Sequence, residues 1–471
     1  MDQHLGPISS YTAIREKELA RVAREPRGCI RGNSMTNGLS VRVLLSALVF
    51  FLLPASGFAQ YGIDDYGYPV EDALAATVVG TPEHLQHELT KKRPRFRLLK
   101  LQTKPKEEIP NYFWYHEQYK YLMFFQKKPA PLVFILAGTG GNYSGPNMLY
   151  LMKAFYDKGY HAVGLANPTF MNFIINASST GVVGLPERDT RDLYNVLKRA
   201  WTEQLSERIE VTDFYFTGYS LGGTQTGWMA KIDEEEQFFK FKKLLLVNPS
   251  VNLYNSVTIL DSYFESNIEN SDEAVEFWNR LMSAAGELAR EEGVQFSDDF
   301  LYQLYLRREP EPEGLETLIG IAFRISAQSI MTTADVMRGG GFIIPTTIKG
   351  GLHYNVDDYF IVSSRTSFIN YFEGLLLPYY QALDPSLTKE DAIYQAGLAP
   401  IADYLRTAEH VSVVHNQDDI ILKEGEIDWL VDVFGDRAKI WPRGGHLGNM
   451  RYKENVEYMF EFFGENMQGG E

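Results

Sequence analysis

A serine hydroxyl becomes a useful nucleophile only when a histidine takes its proton and an acid orients that histidine, so three side chains of the right types must converge. The run Gly218-Tyr219-Ser220-Leu221-Gly222 offers the serine. By itself the Gly-x-Ser-x-Gly pattern is weak, with roughly 0.2 chance matches expected for this length and composition. Its setting says more. The apolar strand pattern of Phe214, Tyr215 and Phe216 runs into it, and a helix pattern with small residues in its first turn follows. A strand passing straight into a helix forces a sharp turn that lifts the serine hydroxyl above the sheet, and side chains at positions 218 and 222 would collide in that turn.

The base is sought among nine histidines. His446, in Pro442-Arg-Gly-Gly-His-Leu-Gly448, is the one in a Gly-flanked loop between a late strand and the closing helix, where an imidazole can reach across the carboxyl ends of the strands. The acid lies between serine and histidine. A strand over residues 411–415 runs into Asn416-Gln417-Asp418-Asp419, which places two carboxylates at its end. One of them is expected to hold the imidazole, and the other to serve an Asx turn.

Positioning three such groups requires alternating strands and helices, and the chain has that alternation. Strands are predicted at 95–102, 112–125, 131–137, 160–166, 211–217, 241–247, 411–415 and 438–441. Helices are predicted at 147–158, 187–205, 221–232, 424–434 and 451–463. The uninterrupted apolar run at 131–137 fits a parallel strand covered on both faces. Between the sixth and seventh of these strands, at 253–406, helix-like stretches take over at 272–292, 314–338 and 365–382. The expected organisation is therefore an α/β core in two parts, 60–252 and 407–471, interrupted by a helical insertion.

In this arrangement the chain resembles the α/β-hydrolase fold family, over residues 131–251 and 411–463. The family carries its triad in the order serine, acid, histidine, and Ser220, Asp418 or Asp419, and His446 stand in that order. The resemblance implies a mostly parallel sheet flanked by helices, with the insertion after the sixth strand forming a cap. In the family the acid commonly follows by three residues a glycine that ends the seventh strand. Asn416 holds the glycine's place here, which points to Asp419 and keeps Asp418 as the alternative. The resemblance also implies an oxyanion hole from the Leu221 and Thr139 N–H groups, the latter in Ala137-Gly-Thr-Gly-Gly141, which is similar to the family's His-Gly-x-Gly with Ala137 in place of His. That glycine run lacks the Gly-Lys-Ser/Thr ending of a phosphate cradle, so a nucleotide site is not expected. No cofactor is expected either. His84 and His87 are expected to share a helix face at i,i+3 spacing, but no carboxylate or further histidine stands beside them at ligand spacing, and no metal is expected.

The chain has 471 residues, 45 Lys plus Arg and 61 Asp plus Glu, for a net charge of −16 with no long basic block, which speaks against a nucleic-acid partner. Residues 43–53 are apolar except Ser46, follow Arg42 and precede Gly57 and Ala59. That pattern, too short for a membrane span, reads as a signal peptide over 35–59 with cleavage before Gln60. Residues 1–34 read as an upstream extension, with Met35 as the start. The leader contains Cys29, the single cysteine, so the mature chain would be free of disulfides and cysteine-ligated zinc and would carry a charge of −19. These readings lead to an exported, periplasmic or secreted serine hydrolase, free of any stable membrane anchor. It would act on a small-molecule ester, with an apolar pocket in the insertion and hinges at 339–341 and 350–351. Peptidase, thioesterase and acyltransferase chemistry share the triad, and an idle envelope binding protein on the same fold is the rival from another class.

Overall fold

The computed structural model describes residues 65–114, 116, 118–268, 273, 276, 312–347 and 357–464, all within one compact unit, Ser56–Glu471. The expected leader and upstream extension, Cys29 included, lie outside the described residues, as do Gly350 and Gly351.

Eight strands form one sheet: β1 (Phe96–Leu101), β2 (Tyr119–Phe124), β3 (Ala130–Leu136), β4 (His161–Leu165), β5 (Val211–Tyr219), β6 (Lys243–Val247), β7 (Val411–Asn416) and β8 (Ala438–Trp441). Their order is β1-β2-β4-β3-β5-β6-β7-β8. The first two join antiparallel, and every pair from β4 to β8 is parallel. Every residue of β3 is buried, as its unbroken apolar run requires. One hydrophobic cluster, with Phe134, Phe216 and Met229, packs one face of the sheet. A second, with Ile135, Phe155 and Phe460, packs the other.

Nine helices matter for the site. In chain order they are α1 (Ala73–Val79), α2 (Pro146–Asp157), α3 (Met171–Asn176), α4 (Pro186–Ala200), α5 (Leu221–Glu236), α6 (Leu253–Glu265), α7 (Pro312–Arg338), α8 (Glu426–Phe434) and α9 (Lys453–Phe463). Helix α4 shows why its sequence folds locally. Pro186 takes the first turn, Glu187 complements the N-terminal partial charge, and Lys198 and Arg199 the C-terminal one. Among the described residues, the connection from β6 to β7 is built of helices around its own cluster, which includes Ile330, Met331 and Tyr371. There α7 crosses α6 at close range. A Cβ on Gly320 would lie 2.5 Å from the Phe264 nitrogen, and the buried Arg324 meets Asp261 at 3.3 Å beside the crossing.

Several local expectations need correction. The strand expected over 112–125 is limited to β2, because Pro110 starts a 3-10 turn at Asn111–Phe113 that takes this segment out of the ladder. The continuous helix expected over 365–382 starts later, at Phe368 behind a Ser367–Asn370 capping box. It then widens into a π turn at Phe372–Leu376, because Pro378 lacks the N–H that an α-helical turn would use. The helix expected over 272–292 lies almost wholly outside the described residues. After the glycines 339–341 comes a tight loop in which the buried Asp335 carboxylate accepts from the N–H groups of Phe342, Ile343 and Ile344. His84 and His87 share no helix, since the local 3-10 turn ends at Leu85 and His87 packs edge-on against Phe460.

Candidate active site

Strand β5 ends at Tyr219 and α5 starts at Leu221, so the whole turn falls on Ser220. Its backbone sits at φ 58° and ψ −129°, a conformation a non-glycine residue adopts only under constraint. The flanking glycines make the constraint possible. A Cβ on Gly218 would lie 2.3 Å from the Gly222 oxygen, and one on Gly222 would lie 2.4 Å from the Ala137 oxygen. The Ser220 N–H donates to the Val247 oxygen at 2.9 Å, which ties the turn to the end of β6.

His446 stands in the loop between β8 and α9, and its Nε2 lies 2.9 Å from Ser220 Oγ. Its Nδ1 lies 3.1 and 3.0 Å from the two oxygens of Asp419, which hang from the end of β7. That geometry assigns the Nδ1 proton to the carboxylate side and leaves Nε2 as the acceptor facing the hydroxyl. Asp419 is buried and accepts further bonds from Asn248 Nδ2 (2.9 Å) and the Ile421 N–H (3.1 Å). Burial alone raises its carboxyl pKa, yet the His446 ring, helped by His415 and Asn248, outweighs that and holds the group below the usual carboxylate range.

Of the two carboxylates left open by the sequence, Asp418 points elsewhere. Its oxygens accept the Gly444 and Gly445 N–H groups at 3.2 and 2.9 Å, gripping the loop that carries His446. Burial raises its pKa to about 6 against those two bonds. Asn416 grips the same loop through Nδ2, which donates to the Gly445 oxygen at 2.7 Å. A side chain on Gly444 would press within 2.7 Å of that amide.

Leu221 and Thr139 line the same space, and neither backbone N–H has an acceptor among the described residues. The loop holding Thr139 is fixed by a residue that sequence reasoning missed. Asn167 Nδ2 donates to the Ala137 oxygen at 2.7 Å and to Gln225 Oε1 at 2.8 Å, and its backbone N–H reaches the Gly141 oxygen at 2.9 Å. Thr169, bonded to Asn167 Oδ1, accepts the Gly140 N–H at 2.8 Å. Asn248 was missed as well. The one signal for both was an asparagine followed by proline at the carboxyl end of a strand pattern, which reads equally well as a plain turn.

Ser220 and His446 open into a cavity of about 310 Å³. Its far walls come from α6 and α7, through Leu253, Val257, Leu260, Ile319 and Phe323, and no charged side chain lines it among the described residues. The described residues also contain no cluster of three or more metal-ligating side chains.

No family model and no curated protein matches this sequence. Solved structures similar to it include the thioesterase domain of the curacin biosynthetic pathway, at 12% identity and TM-score 0.35, covering 79% of this chain and 100% of that one. Est1E from Butyrivibrio proteoclasticus is 12% identical with TM-score 0.34, covering 74% and 96% of the two chains. An esterase from Pyrococcus furiosus is 9% identical with TM-score 0.39, covering 81% and 99%.

Proposed function

We propose that this chain, whose mostly parallel sheet and strand-to-helix serine turn are those of the α/β-hydrolase fold, is a serine hydrolase acting on carboxylic esters. The observation that carries the reading is the line from Ser220 Oγ through His446 to Asp419, with Ser220 held at positive φ where its hydroxyl projects from the turn. Ser220 Oγ attacks the ester carbonyl as His446 Nε2 takes its proton. The carbonyl oxygen gains charge and is met by the Leu221 and Thr139 N–H groups. Collapse expels the alcohol, which receives the proton from His446 and leaves Ser220 acylated. Water then repeats the sequence, freeing the acid and restoring the serine. Asp419 keeps the imidazole in the tautomer that can accept a proton and stabilises the cation that forms.

The uncharged walls of the cavity favour a neutral, apolar acyl or alkyl group, and the helices between β6 and β7 act as the cap that encloses it. The assembled triad favours catalysis over an idle binding role. Labelling with a fluorophosphonate and hydrolysis of a chromogenic short-chain ester test the reading on the full mature chain. Both signals are expected from the wild type and neither from Ser220→Ala. Hydrolysis that survives in Ser220→Ala removes the nucleophile, and a wild type inert to both reagents favours the binding role. Export belongs to the same proposal, and the exported protein is expected to begin at or next to Gln60 when its N-terminus is sequenced.

A further inference from the structure

Residues 65–81 form an arm that covers the loop carrying His446. Tyr66 stacks on Trp441 with ring centroids 4.5 Å apart, and its hydroxyl donates to the Arg443 oxygen at 2.5 Å and accepts from Asn449 at 3.0 Å. Arg443 Nε donates to the Tyr68 oxygen at 2.7 Å, and Thr81 Oγ1 donates to the Gly448 oxygen at 2.7 Å. Between these anchors, α1 lies against the loop backbone itself. A Cβ on Gly445 would come within 2.2 Å of the Ala73 oxygen, and one on Gly448 within 2.2 Å of the Ala76 oxygen. At the centre of the contact the His446 N–H donates to Thr77 Oγ1 at 2.8 Å, while that hydroxyl donates to the Ala73 oxygen at 2.8 Å. Thr77 also borders the cavity beside Ser220.

The loop needs such a hold. Gly444, Gly445 and Leu447 all have positive φ, Leu447 without a glycine's freedom, so the backbone around His446 is shaped by what grips it. Asp418 and Asn416 grip one side of it, and the arm grips the other.

We propose that Thr77 is a positioning residue for His446, its hydroxyl fixing the backbone from which the imidazole reaches Ser220. The inference rests on the hydrolase reading. In this scheme Thr77 touches no substrate atom that reacts. It sets the approach of His446 Nε2 to Ser220 Oγ, a distance on which proton transfer depends steeply.

Thr77→Val keeps the shape and removes the acceptor, whereas Thr77→Ser keeps the acceptor. In the full mature chain, Thr77→Val is expected to lower kcat and the rate of fluorophosphonate labelling by roughly ten-fold or more, with KM changed less than about two-fold, and Thr77→Ser to recover most of the loss. If Thr77→Val does not fold, Thr77→Ala takes its place and is expected to lower kcat by roughly ten-fold with the same split between kcat and KM. A wild-type kcat in the variant measured, or a Thr77→Ser enzyme as slow as Thr77→Val, overturns the assignment. A wild type that the fluorophosphonate fails to label at Ser220 fails the hydrolase reading instead, which separates the two.

Discussion

At the end of β7 the chain turns at Asn416, and the two carboxylates that follow meet different partners. Asp419 faces the imidazole from a buried site, whereas Asp418 accepts two backbone N–H groups of the next loop. Removing the charge from each therefore has different consequences. Asp419→Asn offers the imidazole an amide in place of a carboxylate, favours the wrong tautomer and is expected to cost kcat on the order of 10³ to 10⁴. Asp418→Asn loses one of two loop bonds and is expected to cost less than about ten-fold, since a hydrogen bond of this kind contributes roughly 1 kcal/mol. Steady-state kinetics on the two variants checks both, and equal losses would contradict the division of labour. The residues alone left the choice between these neighbours open, because each is an aspartate in the same turn, and it was the family resemblance that pointed to Asp419. The choice depends on which way the backbone leaves Asn416.

The strand-to-helix turn at Ser220 leaves no room for a side chain at Gly218 or Gly222. Gly218→Ala puts a methyl group 2.3 Å from the Gly222 oxygen, against backbone that cannot yield without moving α5. We expect it to destabilise the fold by roughly 2 to 3 kcal/mol in urea titrations and to abolish ester hydrolysis, as overpacking against a fixed backbone does. The crossing of α6 and α7 shapes the cavity instead. Phe323→Ala removes a wall without touching the triad, and is expected to move the ratio of kcat/KM for long over short acyl esters upward by roughly ten-fold. An unchanged ratio would place the acyl group elsewhere. Elements whose signals are local were legible in the sequence, such as β3, β5 and α4 with its Pro186 start. So was the order of serine, acid and histidine. Residues defined by a distant partner were not. Asn167 is recognisable only through Ala137, thirty positions away, and Asn248 only through Asp419. The overextended strand at 112–125 was a local error of another kind, since aromatic residues with strand propensity followed Pro110 into a 3-10 turn.

For the molecule as a whole, the two aspartates pull stability in opposite directions with pH. Asp418 keeps its proton up to about 6 when folded, above its ordinary value of 3.8. Between those values the folded chain holds a proton that the unfolded chain has released, so its contribution declines as pH rises through this window and is level above it. Asp419, held below the ordinary value, contributes above that value and loses its contribution as pH falls toward its folded pKa. The advantage of wild type over Asp418→Asn in urea midpoint is accordingly expected to shrink from about pH 4 to about pH 6, and a flat difference would contradict the raised pKa. The arm of residues 65–81 has a consequence in time. A ribosome delivers Thr77 before Ser220 and Ser220 before His446, with Thr77 and His446 separated by 369 positions. On the proposed mechanism a chain still being made holds Ser220 without the imidazole that would take its proton, so ester hydrolysis is expected only once His446 has emerged and reached its partners.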